Sequence, residues 1–314
     1  MTDAVLGIDV SKTTLDTSLL AGTKPRSRSF ANSPDGWRQL IAWLAKEEVR
    51  QVHACLEATG RHSLGIALAL HEAGHVVSLV NPAQIRDFAR TKLGRNKTDP
   101  VDAAHIREYA ELFKPRPWTP ASPALRRLCE LQTIRAGMVA SLTEGTSTSG
   151  LDRALAKATI QHFTLEAVDQ AIAETIDTDR ELCAKRTLLV SISGVGETLA
   201  GIVLAELPGP EVLGSSGAAA AYAGLNPRQH QSGTSINRPD RISKIGNAVL
   251  RSALYMPALS AMRYNPAIAA LVDRLKGRLT GKQIVVAAMR KLLVICFGVL
   301  KSGKDFDPTI ALGQ

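Results

Sequence analysis

The first thirty residues alternate between apolar runs and short polar breaks. Residues 4–10, AVLGIDV, form an apolar run rich in β-branched side chains and predict a buried strand. Thr14 to Leu20 alternates and suits the next strand of a meander, and Arg26 to Ala31 is read as a third. Ser33-Pro34 then opens a helix, with Ser33 as cap and Pro34 at the first helical position. Trp37, Leu40, Ile41 and Leu44 line one face of it. Val52 to Glu57 reads as a fourth strand, His62 to Glu72 as a helix and Val76 to Val80 as a fifth strand, and Pro82 starts another helix. Strands first, then strands alternating with helices, predict a mixed α/β domain.

Pro115, Pro117, Pro120 and Pro123 crowd one stretch and mark a domain boundary. From Ala124 to about Lys185 the pattern is helical and amphipathic, interrupted by the helix-poor TEGTSTSG of Thr143–Gly150. From Arg186 onward the chain is small-residue-rich, helical and basic. The expected division is therefore 1–118, an α/β domain; 119–185, a helical, coiled-coil-like linker; and 186–314, a mainly α domain. No internal repeat stands out.

Composition narrows the function. The 314 residues carry 38 Lys and Arg against 29 Asp and Glu, a formal charge of +9, which favours a polyanionic partner. Cys55, Cys129, Cys183 and Cys296 are scattered without a CxxC pair, which argues against a structural zinc site and a disulfide scaffold. The N-terminus lacks the order of a secretion signal. The apolar stretch Ile284 to Leu300 is broken by Arg290 and Lys291 and is expected to be too short and too charged to span a bilayer. A cytoplasmic, nucleoid-associated protein with no membrane partner is expected.

Four carboxylates hold the candidate chemistry. Asp9 ends the first strand in GIDVSK and Glu57 ends the fourth in CLEATG. Asp99 and Asp102 lie in NKTDPVDAAHI, where Pro100 suits a first helical turn and the i, i+3 spacing sets both on one helix face. Strand-end acids converge at one sheet edge, and a helix crossing that edge adds two more. Gathered there, four carboxylates repel, and divalent cations remove that penalty. Mg²⁺, or Mn²⁺ in its place, prefers such oxygens, and two ions stabilise both attacking and leaving oxygens in phosphodiester chemistry. Each acid alone also has a plainer reading: Asp9 as a turn residue, Asp99 as a helix cap. A basic run, Arg86, Arg90, Lys92, Arg95 and Lys97 with Asp87 opposing, suits a DNA strand entering the site.

In the C-terminal half, Gly194-Val195-Gly196 between two apolar segments reads as a helix-hairpin-helix turn able to hold a DNA phosphate, or as a turn that merely needs glycine. Between Asn226 and Arg251, the residues Arg228, Arg238, Arg241, Lys244 and Arg251 face a single acid, Asp240. Ser232 lies there in a Gln-Ser-Gly turn. By spacing alone it is an ordinary loop serine: no local base activates it, and His230 reads as a phosphate contact or a bystander.

The quoted segments resemble a known family. The N-terminal part looks like an RNase H-like domain of the RuvC resolvase type with its Asp-Glu-Asp-Asp tetrad. GIDVSK, EATG, NPAQIRDFA and RNKTDPVDA resemble the DEDD insertion-sequence transposases related to the Piv invertase, the one-hundred-and-ten family, which are guided by a bridge RNA. GLNPRQHQSG, ISKIGNAVLRSALYMPA and AMRKLLVICFGVLKSG resemble the second, transposase domain of that family. The resemblance implies Asp9, Glu57, Asp99 and Asp102 as metal ligands and Ser232, the serine before Gly, as the nucleophile that attaches to DNA; Ser235 is a nearby competitor without that glycine. It implies donor and target DNA and a structured guide RNA as partners. It also implies a homo-oligomer, dimers pairing into a tetramer, in which the metal domain of one protomer faces the serine domain of another. Thr143–Gly150 departs from the long, continuous pairing helix of the family.

Three rivals stand beside that reading. A metal-dependent nuclease such as a junction resolvase would use water as nucleophile and leave Ser232 structural. An actin-like ATP-binding protein would need a second Gly-rich phosphate loop, and none follows in the right order. A non-catalytic DNA-binding protein would rely on the Gly194–Gly196 turn. The low aromatic content, 4%, argues against a base-stacking single-strand platform.

Overall fold

The computed structural model describes residues 4–58, 61–91, 99–144, 151–228, 231–232, 236–237 and 241–312, and the chain divides after Pro120 into two units. In the first unit, β1 (Ala4–Val10), β2 (Thr14–Leu20) and β3 (Pro25–Ala31) form an antiparallel meander. Helix α1 (Pro34–Lys46) starts where expected, the Ser33 hydroxyl accepting from the Gly36 amide at 3.3 Å. Then come β4 (Val52–Glu57), α2 (Arg61–Glu72), β5 (Val76–Val80), α3 (Pro82–Thr91) and α4 (Asp99–Phe113). The sheet order is β3-β2-β1-β4-β5, with β4 parallel to both β1 and β5. This is the mixed α/β sheet that the alternation predicted.

Strand alternation gives the sheet two different faces. Leu6, Ile8, Leu15, Leu19, Ala54 and Leu56 are buried on one, under Leu40, Trp43 and Leu44 of α1 and Ile66, Ala67 and Leu70 of α2. The other face presents Val5, Cys55 and Val80 to Ile85 of α3 and to Ile106 and Ala110 of α4. That second face carries the acids.

The second unit is helical. It comprises α5 (Pro123–Glu144), α6 (Leu151–Thr178), α7 (Arg180–Val190), α8 (Glu197–Glu206), α9 (Pro210–Leu213) and α10 (Ser216–Tyr222). Four two-residue strands follow, β6 (Pro227–Arg228), β7 (Gln231–Ser232), β8 (Ile236–Asn237) and β9 (Arg241–Ile242). The chain closes with α11 (Ala248–Ala253), α12 (Tyr255–Tyr264), α13 (Pro266–Leu275), α14 (Gly281–Ser302) and α15 (Pro308–Leu312).

Four expectations change here. Residues 119–185 do not stand apart as a linker: Leu128 and Leu131 of α5 and Ile172 and Ile176 of α6 share one hydrophobic cluster with Leu199, Leu250, Leu292 and Phe297. Apolar periodicity shows that a helix is amphipathic without showing which neighbour covers it. Thr143 and Glu144 belong to the end of α5, while 145–150 lie outside the described residues. Ser232 is in a strand rather than a turn, because Gln231–Ser232 pair with Ile236–Asn237. Helix α14, finally, runs 22 residues at a window hydropathy of 2.0 and is long and apolar enough to cross a membrane. Its start at Gly281 lengthens it to about 33 Å at 1.5 Å per residue. More than half of that window is buried within the fold, with Ala288, Leu292, Leu293, Cys296 and Phe297 in the core, as in the central helix of a bundle.

Candidate catalytic site

Register brings the first two acids together. In the parallel pair β1–β4, Ile8 is the partner of Leu56, so Asp9 and Glu57, one position further on, come side by side on the face that α4 covers. On the other side of Asp9 the antiparallel partner is Asp16, and the partner of Asp16 on β3 is Ser29. One row across the sheet thus reads Ser29, Asp16, Asp9, Glu57, Val80. Asp9, Asp16 and Glu57 are half-buried. Sequence reasoning missed Asp16, although TLD alternates in phase with GID; only the pairing of β1 with β2 sets it opposite Asp9.

The carboxylates of α4 arrive through a glycine. Helix α4 lies across β1, β2 and β4, and its closest approach is at Gly7. A Cβ on Gly7 would stand 2.3 Å from both the Ala103 carbonyl oxygen and the Arg107 nitrogen. The glycine of GIDVSK is therefore the seat of the helix, and Asp102 directly precedes the residue seated there. Arg107, 7% exposed, pins the contact: its Nε donates to the Ser18 hydroxyl at 3.1 Å, and its guanidinium pairs with Glu111. Asp99 is the first residue of α4, and its side chain lies outside the described residues.

Among the described residues, no three His, Cys, Asp or Glu side chains are grouped closely enough to hold a metal ion, and that set lacks the Asp99 side chain. The donor chemistry fits a hard divalent cation, since each candidate ligand is a carboxylate. The His105 Nδ1, three residues beyond Asp102, is a buried polar atom without a hydrogen-bond partner among the described residues. Burial pushes the Cys55 thiol up to about 12, with the neighbouring Glu57 carboxylate adding to the effect. The thiol is thus neutral beneath the acids and does not compete for a hard cation.

The basic residues divide. Arg86 and Arg90 are exposed on α3, and Arg90 lies 3.5 Å from Asp87. Lys92, Arg95, Lys97 and Arg238 lie outside the described residues, as do the side chains of Arg228 and Arg241. Lys244 is exposed at a left-handed φ of 54°, its amide donating to the Gly224 carbonyl.

The serine hairpin has a brace that the sequence did not reveal. Ser243 donates its amide to the Asn226 carbonyl at 3.0 Å and pairs its hydroxyl with Asn226 Oδ1 at 2.7 Å. The Asn247 amide donates to the Tyr222 carbonyl at 2.7 Å, and Arg251 Nη1 donates to the Ala223 carbonyl at 2.8 Å. Gly246, at φ 138°, approaches Tyr222 so closely that a Cβ would meet its carbonyl oxygen at 2.2 Å. The segments AYAGLN and ISKIGNAVLR thus clamp the base of β6–β9, from which the β7–β8 pair bearing Ser232 extends. Arg251 is a structural tether. The side chain of Ser232 lies outside the described residues, as do His230 and Ser235.

The turn between α7 and α8 has its own packing reason. Gly194 adopts φ 101°, and a Cβ there would come within 2.6 Å of the Ala261 Cβ. Close approach of α12 accounts for this glycine without a phosphate.

Comparison with known proteins identifies the family. Residues 6–156 match a DEDD transposase family model described as "Transposase", and residues 186–273 match "Transposase IS116/IS110/IS902 family". The pilin gene-inverting protein of Moraxella bovis is 32% identical over 322 aligned positions, covering 99% of both chains, and that of Moraxella lacunata aligns equally. Among solved structures, Thermus thermophilus RuvC in complex with a Holliday junction substrate aligns over 37% of this chain and 99% of its own, at 20% identity and a TM-score of 0.28. On two family domains and a full-length relative at this identity, the chain belongs to the IS116/IS110/IS902 family of transposases.

Proposed function

We propose that the protein cuts and rejoins DNA strands at a site made of Asp9, Glu57, Asp99 and Asp102, with Ser232 as the nucleophile. The observation that carries the reading is the acid row: register sets Asp9 beside Glu57, and Gly7 seats the helix that bears Asp99 and Asp102 on the same face. The order β3-β2-β1-β4-β5 supports an RNase H-like assignment for this unit. These four carboxylates would hold a divalent ion, Mg²⁺ or Mn²⁺, which would supply positive charge at the scissile phosphate.

The Ser232 oxygen forms an ester bond to phosphorus and loses its proton, while the bond from phosphorus to the departing sugar oxygen breaks and that oxygen takes up a proton. One phosphoester replaces another, so the strand can be resealed by the reverse displacement on a second DNA end. Exposed Arg86, Arg90 and Lys244 would contact the phosphate backbone, together with Lys92, Arg95, Lys97, Arg228, Arg238 and Arg241. Sequence choice is delegated to a structured bridge RNA, in keeping with the scarcity of aromatic residues. Dimers associating as a tetramer would present the acids of one protomer to the serine of another.

The test begins with RNA that co-purifies with the full chain. That RNA, DNA carrying the sequences flanking the gene, and Mg²⁺ are incubated with the protein, which is then denatured and resolved for covalent protein–DNA adducts. Wild type is expected to form an adduct, and Asp9→Asn and Ser232→Ala to form none. Continued cutting by Ser232→Ala would establish water as the nucleophile and favour the resolvase-like alternative.

A further inference from the structure

We propose that the side-chain hydrogen bond between Asn226 and Ser243 aims the Ser232 hydroxyl at the scissile phosphate, which makes both of them positioning residues; this rests on the nucleophile reading above. Below that bond the chain is fixed to the core. Leu225 is buried and Ile242 packs against the same cluster. The Leu225 amide donates to the Ala220 carbonyl at 2.9 Å, and the Lys244 amide to the Gly224 carbonyl at 3.1 Å. Above it the chain is a two-stranded ribbon, with Pro227 opposite Ile242, Arg228 opposite Arg241 and Ser232 opposite Ile236. Pro227 has no amide to give to the ladder. Asn226 and Ser243, both half-buried, are the rung between core and ribbon. Ser243 donates its amide to the Asn226 carbonyl at 3.0 Å and its hydroxyl to Asn226 Oδ1 at 2.7 Å.

A single hydrogen bond at that rung is a pivot, whereas two bonds fix a direction. The direction matters because of leverage. Ser232 lies six residues beyond Asn226, a reach of up to about 20 Å at 3.3 Å per residue. An isolated two-stranded ribbon is marginally stable, so its course is set by the base from which it rises. A tilt of about 10° at the base moves a point about 20 Å away by about 3 Å. Displacement at phosphorus needs the reacting atoms about 3–3.5 Å apart and aligned, so such a tilt ends the reaction. The core bonds hold the chain beneath the rung and do not correct a tilt above it. Losing the Asn226–Ser243 side-chain bond therefore leaves the fold in place and turns the serine away.

The experiment uses the full chain with its co-purifying RNA, the flanking DNA and Mg²⁺, and measures the first-order rate of covalent adduct formation at saturating DNA. DNA affinity is read separately by fluorescence anisotropy without Mg²⁺, and melting temperature by circular dichroism. Ser243→Ala is expected to slow adduct formation at least tenfold, toward the roughly hundredfold cost of a misplacement of about 1 Å. DNA affinity should stay within about twofold, and the melting temperature should fall by no more than about 3 °C, the scale of one half-buried hydrogen bond. Asn226→Ala breaks the same bond from the other side and serves if Ser243→Ala does not fold. The double variant should be no slower than either single one, since all three lack the same bond. Ser243→Thr keeps the hydroxyl and should restore most of the rate. A loss below tenfold in both alanine variants, with Ser232→Ala forming no adduct, would overturn the positioning inference and leave the nucleophile reading standing. Adduct formation by Ser232→Ala at the wild-type rate would end that reading and the inference with it. A larger drop in melting temperature, or DNA affinity falling in step with the rate, would assign the pair a merely structural role and overturn the inference.

Discussion

Replacing Gly7 by Ala tests the seat of α4 with one methyl group. That methyl would lie 2.3 Å from the Ala103 oxygen and the Arg107 nitrogen and 2.9 Å from the Arg107 Cα. Both near atoms are backbone, so no side chain can swing away. Ordinary contact begins near 3.4 Å, so the helix must lift by about 1 Å. A lift of that size stretches the 3.1 Å bond from Arg107 to Ser18 to about 4 Å, beyond hydrogen-bonding range. Overpacking costs about 1–3 kcal/mol and the lost buried bond about 1 kcal/mol, so the first unit should lose about 2–4 kcal/mol. With a urea slope of about 2 kcal/mol per molar, the midpoint of its transition falls by about 1–2 M. The assay is urea unfolding of the full chain followed by tryptophan fluorescence, since Trp37, Trp43 and Trp118 all belong to this unit. Mn²⁺ affinity should fall in parallel, because Asp99 and Asp102 ride on the displaced helix. A midpoint shift below about 0.3 M, with Mn²⁺ binding unchanged, would refute the view that Gly7 sets the helix position.

Other outcomes follow from burial and hydrogen bonding elsewhere in the chain. Asn265 is fully buried, caps α13 through the Ala267 amide at 3.1 Å and donates to the Ser193 carbonyl, so Asn265→Ala should cost about 2–4 kcal/mol in calorimetric unfolding. Burial depresses the imidazoles of His53 and His75 below 6.5, so the folded chain holds them neutral. The unfolded chain therefore binds more protons as pH falls through 6.5, and denaturant midpoints should decline from there into the depressed folded range. His53→Gln should flatten that decline. The Cys55 and Cys296 thiols, both pushed up to about 12, should resist iodoacetamide at pH 8 until the protein is unfolded. Because their folded values are raised, stability is intact below about pH 9 and should fall between pH 9 and 12.

The five strands of the sheet were legible in the sequence because each is a short apolar or alternating run, and alternation is a local consequence of the pleat. Asp9, Glu57 and the Asp99/Asp102 pair stand out as candidates for a related reason: strand ends and first helical turns carry local marks. What the sequence left undetermined is pairing. Asp16 appears as one more alternating polar residue until β2 folds back on β1 and makes it the partner of Asp9. Gly7 appears as a weak point in a strand until α4 crosses it. The periodicity of α5 and α6 announces an apolar stripe and says nothing of what covers it, which proves to be the C-terminal helices. Local pattern follows from the geometry of a single chain segment, whereas register, helix seating and the closing of one core depend on residues far apart in sequence, and those only the tertiary structure decides.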